Sequence, residues 1–216
     1  MAGTEEKRKK TKKKSKNQII ASRIAGFFGL GFYNLYYVEK NLLNDIEIFE
    51  SRIEVEIRKA TDKDIHQILK QLDHKDRKNF EYNIAIESTC YIAAHKNKIA
   101  GYSWANLKYI YIDGMKVAEL PAKGSYHADT YVFPEFRGNK ILLKLVSSVY
   151  ADLKKAGCIF TGTIITKNNA ASIATTKKFH VKFQTTRILR LPGPKSLFIG
   201  KRFLIGVASD FCDTSM

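Results

Sequence analysis

The sequence predicts an α/β fold, a mixed sheet flanked by helices and preceded by a helical leader. Three observations predict it. From residue 54 onward, short runs that alternate apolar and polar residues are interleaved with stretches at helical spacing, in the order β, α, several β, then β-α-β-α-β. The composition, 44% hydrophobic and 27% charged, is that of a chain able to bury a proper core. Before residue 54 the pattern changes to a lysine-rich run and then an apolar stretch, so the 216 residues read as one domain with an appendage.

Residues 1–17 hold eight basic and two acidic side chains, a net +6 of the chain's +16. Such a like-charge run has no apolar cluster to anchor it and reads as a disordered, solvated tail. Ile19 to Val38 is apolar and aromatic, and with its flanks (18–50) it reads as a helical leader. Twenty residues are long enough to span a bilayer. Arg23, Asn34 and three glycines argue against that, since a charge at the centre of a span costs about 2.5–3.5 kcal/mol. A helix packed on the domain, or one lying at a membrane surface with the basic tail as electrostatic support, fits better. Peripheral membrane contact through 7–38 is therefore one expectation.

The body spans 54–191. Val55–Arg58 alternates as a strand, and Ala60-Thr61-Asp62 offers caps for a helix through Leu72. Cys90–His95 and Ile99–Trp104 flank Lys96-Asn97-Lys98 as a hairpin, and Tyr109–Ile112 and Met115–Leu120 flank Asp113-Gly114 as a second. Tyr126–Phe133 is a strand halted by Pro134. Asn139–Ala156 places Leu142, Leu145, Val146, Val149 and Leu153 on one helical face and stops at Gly157. Cys158–Ile165 is a strand, Ala170–Lys178 a short helix and Val181–Leu191 a last strand, followed by a strand-like extension over 192–216.

The three cysteines, Cys90, Cys158 and Cys212, are odd in number and form no CxxC pair. They exclude a full disulfide framework and suggest a reducing, cytoplasmic setting, and no His/Cys/Asp cluster points to a metal. The body alone carries +10, which suits a phosphate-rich ligand, an anionic membrane or nucleic acid. Nucleic acid is not favoured, because Tyr33, Tyr36 and Tyr37 lack the alternating basic pattern of a base-stacking surface.

The segment Val132-Phe133-Pro134-Glu135-Phe136-Arg137-Gly138-Asn139-Lys140 runs from a strand end straight into a helix. Unpaired N–H groups and the positive end of the helix dipole make such a junction a phosphate cradle, with Gly138 permitting close approach and Arg137 and Lys140 adding charge. This segment resembles the pyrophosphate signature of the GNAT superfamily of acyl-CoA N-acyltransferases. Asn169-Ala170-Ala171-Ser172-Ile173 resembles the family's second motif, and Ile57 to Ile65 and Ile99-Ala100-Gly101 are similar to its usual start, so the likeness covers 54–191 in order. It departs at Glu135 and Lys140, at Thr176 where many members place a tyrosine acid, and at His180-Val181 where they have Gly-Phe.

The resemblance implies a mostly antiparallel, twisted sheet and an acyl-CoA cosubstrate, acetyl-CoA first, contacted by Tyr131, Val132, Arg137, Gly138, Asn139, Lys140, Ile141, Asn169 and Ser172. It implies direct attack of a primary amine on the thioester, with a backbone N–H near Val132 facing the thioester oxygen. The candidates for moving the amine's proton are His127 and Asp129, which strict alternation puts on one strand face, and Tyr126 on the other. Amino sugars and other small amines are the favoured acceptors. Two alternatives stay open: a non-catalytic binding module at a membrane or nucleic acid, and an acetyltransferase acting on a protein or ribosomal amine. The oligomeric state is left open.

Overall fold

A computed structural model describes residues 31–112, 115–190 and 196–198. The chain runs through β1 (Gly31–Asn41), β2 (Glu56–Lys59), α1 (Asp62–Gln71), α2 (His74–Ala85), β3 (Thr89–His95), β4 (Lys98–Asn106), β5 (Tyr109–Ile112) and β6 (Met115–Glu119). It continues through β7 (Gly124–Val132), a 3-10 turn (Pro134–Phe136), α3 (Ile141–Lys155), β8 (Phe160–Thr166), α4 (Ala170–Thr176), a second 3-10 turn (Lys177–Phe179), β9 (Lys182–Arg190) and β10 (Ser196–Phe198).

Eight strands make one sheet in the order β10-β9-β1-β8-β7-β4-β3-β2, and β5 and β6 form a separate hairpin. Among the described strands β7–β8 is the one parallel pair; the other neighbours in the large sheet run antiparallel. The mixed, mostly antiparallel sheet expected from the sequence is thus present. Strand and helix ends fall within about two residues of the expected ones, the usual uncertainty at element ends.

The leader is where the structure corrects the sequence reading. Residues 31–41, expected as the later part of a helical leader, form a strand in the middle of the sheet, paired with β8 on one side and β9 on the other. Leu35 and Tyr37 are buried in one cluster, while Tyr36 on the opposite face stands edge-on to Phe183 at 5.7 Å. Aromatic side chains suit such a pleated surface, and two flanking strands pair the backbone of residues 35–39 on both sides. β1 and β10 extend the sheet past both ends of the 54–191 body. No helix among the described residues is long and apolar enough to cross a membrane. The lysine-rich tail, 18–30, the turn at 113–114, Cys212 and most of the 192–216 extension lie outside the described residues.

The helices cover both faces. On one, Ile68 of α1 and Phe80 of α2 pack on Ile92, Tyr102 and Trp104, with Phe80 edge-on to Trp104 at 4.8 Å. On the other, Leu145, Val149 and Leu153 of α3, at i, i+4 and i+8, pack on Tyr91 and Ala105. α1 starts with a capping box, Thr61 accepting from the Asp64 amide and Asp64 accepting from that of Thr61, and the Asp64 carboxylate also takes two bonds from Arg58, at 2.6 and 3.0 Å. Those bonds hold its carboxyl far below the usual range. α2 was not foreseen: its stretch is rich in Lys, Asn and Asp, so no apolar period announces it, although Asp73 caps it by accepting from Asp76 N at 2.8 Å.

Candidate active site

β7 and β8 are paired only over Gly124–Tyr126 and Phe160–Gly162. Beyond that point β7 stays with β4 as far as Val132, and β8 stays with β1 as far as Thr166. The two strands therefore splay apart, and the gap becomes a cleft of about 870 Å³ running to the N-termini of α3 and α4. A wedge of this kind exposes backbone polar groups that a closed sheet would have paired, which makes it a place for a ligand to complete the ladder.

All nine residues expected to contact the cosubstrate line this cleft. Gly138 has φ +83°, and a Cβ there would meet nothing within 4 Å. Lys140, expected in the first turn of the helix, instead precedes it as a left-handed N-cap (φ +58°) whose side chain makes no capping bond. The first amides of α3 have no intrahelical partner, so the helix start offers N–H groups and a dipole to an anion. Arg137 folds back, its Nε donating to Val132 O at 3.1 Å and its guanidinium lying 5.6 Å from the Tyr131 ring centroid. The loop is pinned from outside by Arg52 N, which donates to Asn139 O at 2.8 Å. Asn169 caps α4 by accepting from Ser172 N at 3.0 Å. Arg137, Lys140 and Lys178 are the cleft's cations, and Asp129 is its one acidic group among the described lining residues.

The strand between holds the second correction. Tyr102 sits opposite Tyr131 and Trp104 opposite Ala128, which leaves both Asp129 and Thr130 opposite Ser103. This is a β-bulge, and Asp129 occupies it with φ +44°. The extra residue breaks the alternation, so His127 and Asp129 do not share a face. His127 and Thr130 point to the α3 side, where the His127 ring is edge-on to Tyr150 at 5.4 Å and Nε2 lies 2.6 Å from Ser103 Oγ and 3.2 Å from Thr130 Oγ1. Asp129 instead faces α2, accepting from Asn83 Nδ2 at 2.9 Å. Tyr126 is buried on that same side, its hydroxyl donating to Tyr111 O at 3.0 Å.

Burial pushes the His127 imidazole down to about 4, so at neutral pH it is an uncharged, enclosed link in the Ser103–Thr130 network. The sign of its effect on stability follows. An unfolded imidazole titrates near 6.5, so between about 4 and 6.5 the unfolded chain binds the extra proton. The His127 contribution is complete above about 6.5 and is lost as pH falls towards 4. Urea midpoints measured from pH 7.5 to 4.5 should fall less steeply for His127→Gln than for the parent chain; parallel curves would mean that His127 is not held neutral.

A second pocket, about 240 Å³, lies on the α2 side of the sheet and meets the cleft at Ala128, Asp129, Ile164, Ile165, Asn169 and Ser172. Tyr126 lines this pocket and not the cleft. Sequence reasoning missed Asn83, Ser103, Thr130 and Tyr150. Tyr150 lines the cleft yet lies on the buried face of α3, so its spacing reads simply as core. No group of three or more metal-ligating side chains occurs among the described residues.

Comparison with known proteins agrees with this geometry. The sequence profile of the Acetyltransferase (GNAT) family matches residues 56–180. No curated protein matches the chain. Among solved structures, a Drosophila protein superposes with a TM-score of 0.57 at 11% identity, covering 83% of this chain and 58% of its own. A GCN5-related N-acetyltransferase from Sphaerobacter thermophilus gives 0.53 at 12%, covering 78% and 54%. A fungal GCN5-related glucosamine N-acetyltransferase region, within a multi-domain GH3 β-N-acetylglucosaminidase, gives 0.55 at 8%, covering 82% and 23%. The chain thus spans little more than half the length of the first two, and at these identities the likeness is one of fold.

Proposed function

This chain belongs to the acetyltransferase (GNAT) family, and on that premise we propose that it is an acyl-CoA-dependent N-acetyltransferase acting on a small primary amine in the cytoplasm. The observation that carries the reading is the wedge between β7 and β8, which joins a basic helix N-terminus at one end to the exposed Asp129 carboxylate at the other. Acetyl-CoA is the cosubstrate. Its pyrophosphate would lie against the Gly138–Ile141 turn, with Lys140 and Lys178 adding charge, and its pantetheine arm along the unpaired edges of β7 and β8.

In the reaction, the amine nitrogen attacks the thioester carbon and the new C–N bond forms. The tetrahedral intermediate collapses with cleavage of the C–S bond, and CoA leaves as the thiolate. The nitrogen's surplus proton passes to Asp129, directly or through water. A backbone N–H near Val132, on the β7 edge that lines the cleft, would face the developing oxyanion. Asp129 is preferred over His127 and Tyr126 because it is exposed and opens to both the cleft and the second pocket, whereas those two are buried.

The test is calorimetric titration of acetyl-CoA into the full chain, followed by thiol release with and without a panel of primary amines. Micromolar binding together with amine-dependent release is the expected result. Absence of binding to acetyl-CoA and to longer acyl-CoAs would overturn the proposal in favour of a fold kept without its chemistry.

A further inference from the structure

Three side chains on the α3 side of the sheet close a triangle over the bulge in β7. His127 Nε2 lies 2.6 Å from Ser103 Oγ, Ser103 Oγ lies 2.8 Å from Thr130 Oγ1, and Thr130 Oγ1 lies 3.2 Å from Nε2. Ser103 and His127 are buried and Thr130 is half-buried. In an uninterrupted strand, residues three apart project to opposite faces, so His127 and Thr130 could not meet. They meet here because Asp129 is the extra residue between Ala128, opposite Trp104, and Tyr131, opposite Tyr102. A register with the extra residue before His127 or after Thr130 would turn one of the two to the other face. Buried polar atoms would then be left short of a partner, a state that folded proteins avoid. The triangle therefore selects one position for the bulge. The pairing just beyond it is also specific: a Cβ at Gly101 would stand 2.5 Å from Tyr131 O, so only glycine lets β4 and β7 resume so closely.

We infer that Ser103, His127 and Thr130 are positioning residues, a side-chain latch that fixes the bulge and so sets the Asp129 carboxylate where the cleft and the second pocket meet. The inference rests on the acyltransferase reading and adds the residues that aim its proton acceptor. The three act through the backbone of β7 and not on the substrate. Asp129 has φ +44°, a left-handed conformation disfavoured for an L-residue, so the bulge persists only where its surroundings hold it. On the α2 side, Asn83 donates to the carboxylate at 2.9 Å and itself accepts from the Tyr111 hydroxyl. The latch thus fixes the backbone, and Asn83 orients the side chain that the backbone presents. Without the latch the extra residue can shift along β7, and a one-residue shift exchanges the faces of the side chains it passes.

The experiment uses the full chain with Thr130→Val and Ser103→Ala, each removing one hydroxyl of the triangle, and Thr130→Ser, which keeps it. Backbone amide NMR over 127–132 is read beside a melt as folding control. Thiol release from acetyl-CoA is measured with glucosamine, a lysine-containing tripeptide and 2-phenylethylamine as acceptor probes, and kinetics follow the one turned over fastest. Folded Thr130→Val and Ser103→Ala should each show shifted or doubled amide signals at the bulge and lose about 10–100-fold in kcat, as small misplacements of a reacting group do. The double variant should lose no more than the worse single one, since one latch is broken. Acetyl-CoA affinity should stay within about threefold of the parent's, because the phosphate turn lies at the other end of the cleft. Thr130→Ser should recover kcat to within about threefold. A structural role alone would lower the melting midpoint and leave kcat of the folded enzyme unchanged. Parent-like amide signals in folded Thr130→Val overturn the latch. Shifted signals with a parent-like kcat overturn its part in the reaction, as does a Thr130→Ser variant as slow as Thr130→Val. If Ser103→Ala does not fold, the half-buried Thr130 carries the test. Acetyl-CoA binding with no turnover of any probe overturns the positioning role and leaves the donor site intact. A full chain that fails to bind acetyl-CoA in calorimetry overturns the acyltransferase reading and the positioning role with it.

Discussion

Replacing Gly138 with glutamate is expected to weaken acetyl-CoA binding by about 100-fold or more, close to abolition at practical concentrations. Two effects act together. A φ of +83° is a left-handed conformation that costs an L-residue about 1–2 kcal/mol. The new side chain would also start from a point with nothing within 4 Å, at the mouth of the phosphate turn, and would bring a carboxylate to the place proposed for the pyrophosphate. Like charges at a helix N-terminus remove the attraction that the dipole and free amides supply. Because the position is open, the substitution breaks no core packing, and the fold should survive with a small loss in thermal midpoint. Calorimetry of the parent and the variant, with a melt as a folding control, decides the matter. A dissociation constant within about threefold of the parent's, on a folded variant, would remove the turn from the cosubstrate site.

Asp129→Asn should leave acetyl-CoA affinity unchanged and lower kcat for amine acetylation by about 100-fold or more, the range lost with a general base. The substitution is a clean one in structural terms. Asparagine tolerates positive φ as well as aspartate does, and its amide oxygen can still accept from Asn83 Nδ2, so the bulge should persist. What disappears is the charge and the ability to take a proton. Steady-state kinetics at saturating amine is the measurement. A variant retaining activity within a few-fold of the parent would show that the proton leaves by another route, and Tyr150, a tyrosine in the same cleft, would be the next position to change.

These expectations rest on residues legible to different degrees in the sequence. Gly138, Asn139 and Lys140 stand out because a strand end, a proline, a glycine and an apolar helical face follow one another within a few positions, and local chain geometry makes a helix N-terminus of that order wherever it occurs. Asn169 is legible for the same reason, as a capping residue before a short helix, and the structure has it capping Ser172. Asp129 was legible only as a candidate. Its relation to His127 depends on one extra residue in β7 opposite Ser103, and strand alternation read from sequence assumes there is none.

Asn83 was silent. It belongs to a helix without apolar period, and its importance comes from reaching a strand 46 residues away. The strand at 31–41 was hidden for a related reason: the 20-residue stretch rich in apolar and aromatic residues that it overlaps has the length of a helix, and nothing near it in sequence reveals that β8 and β9, more than a hundred residues later, leave a gap between them for residues 31–41.

By itself, then, the sequence determined the mixed sheet, the order of its elements from residue 54 apart from α2, the strand-to-helix turn and the basic character of the chain, because these depend on periodicity, caps and charge over a few neighbouring residues. Only the tertiary structure decided that residues 31–41 are a central strand, that β7 bulges at Asp129, and that a second pocket meets the cleft there. Each of those depends on strands and helices far apart in the chain competing for the same backbone hydrogen bonds and the same buried volume, and such a competition leaves no local trace.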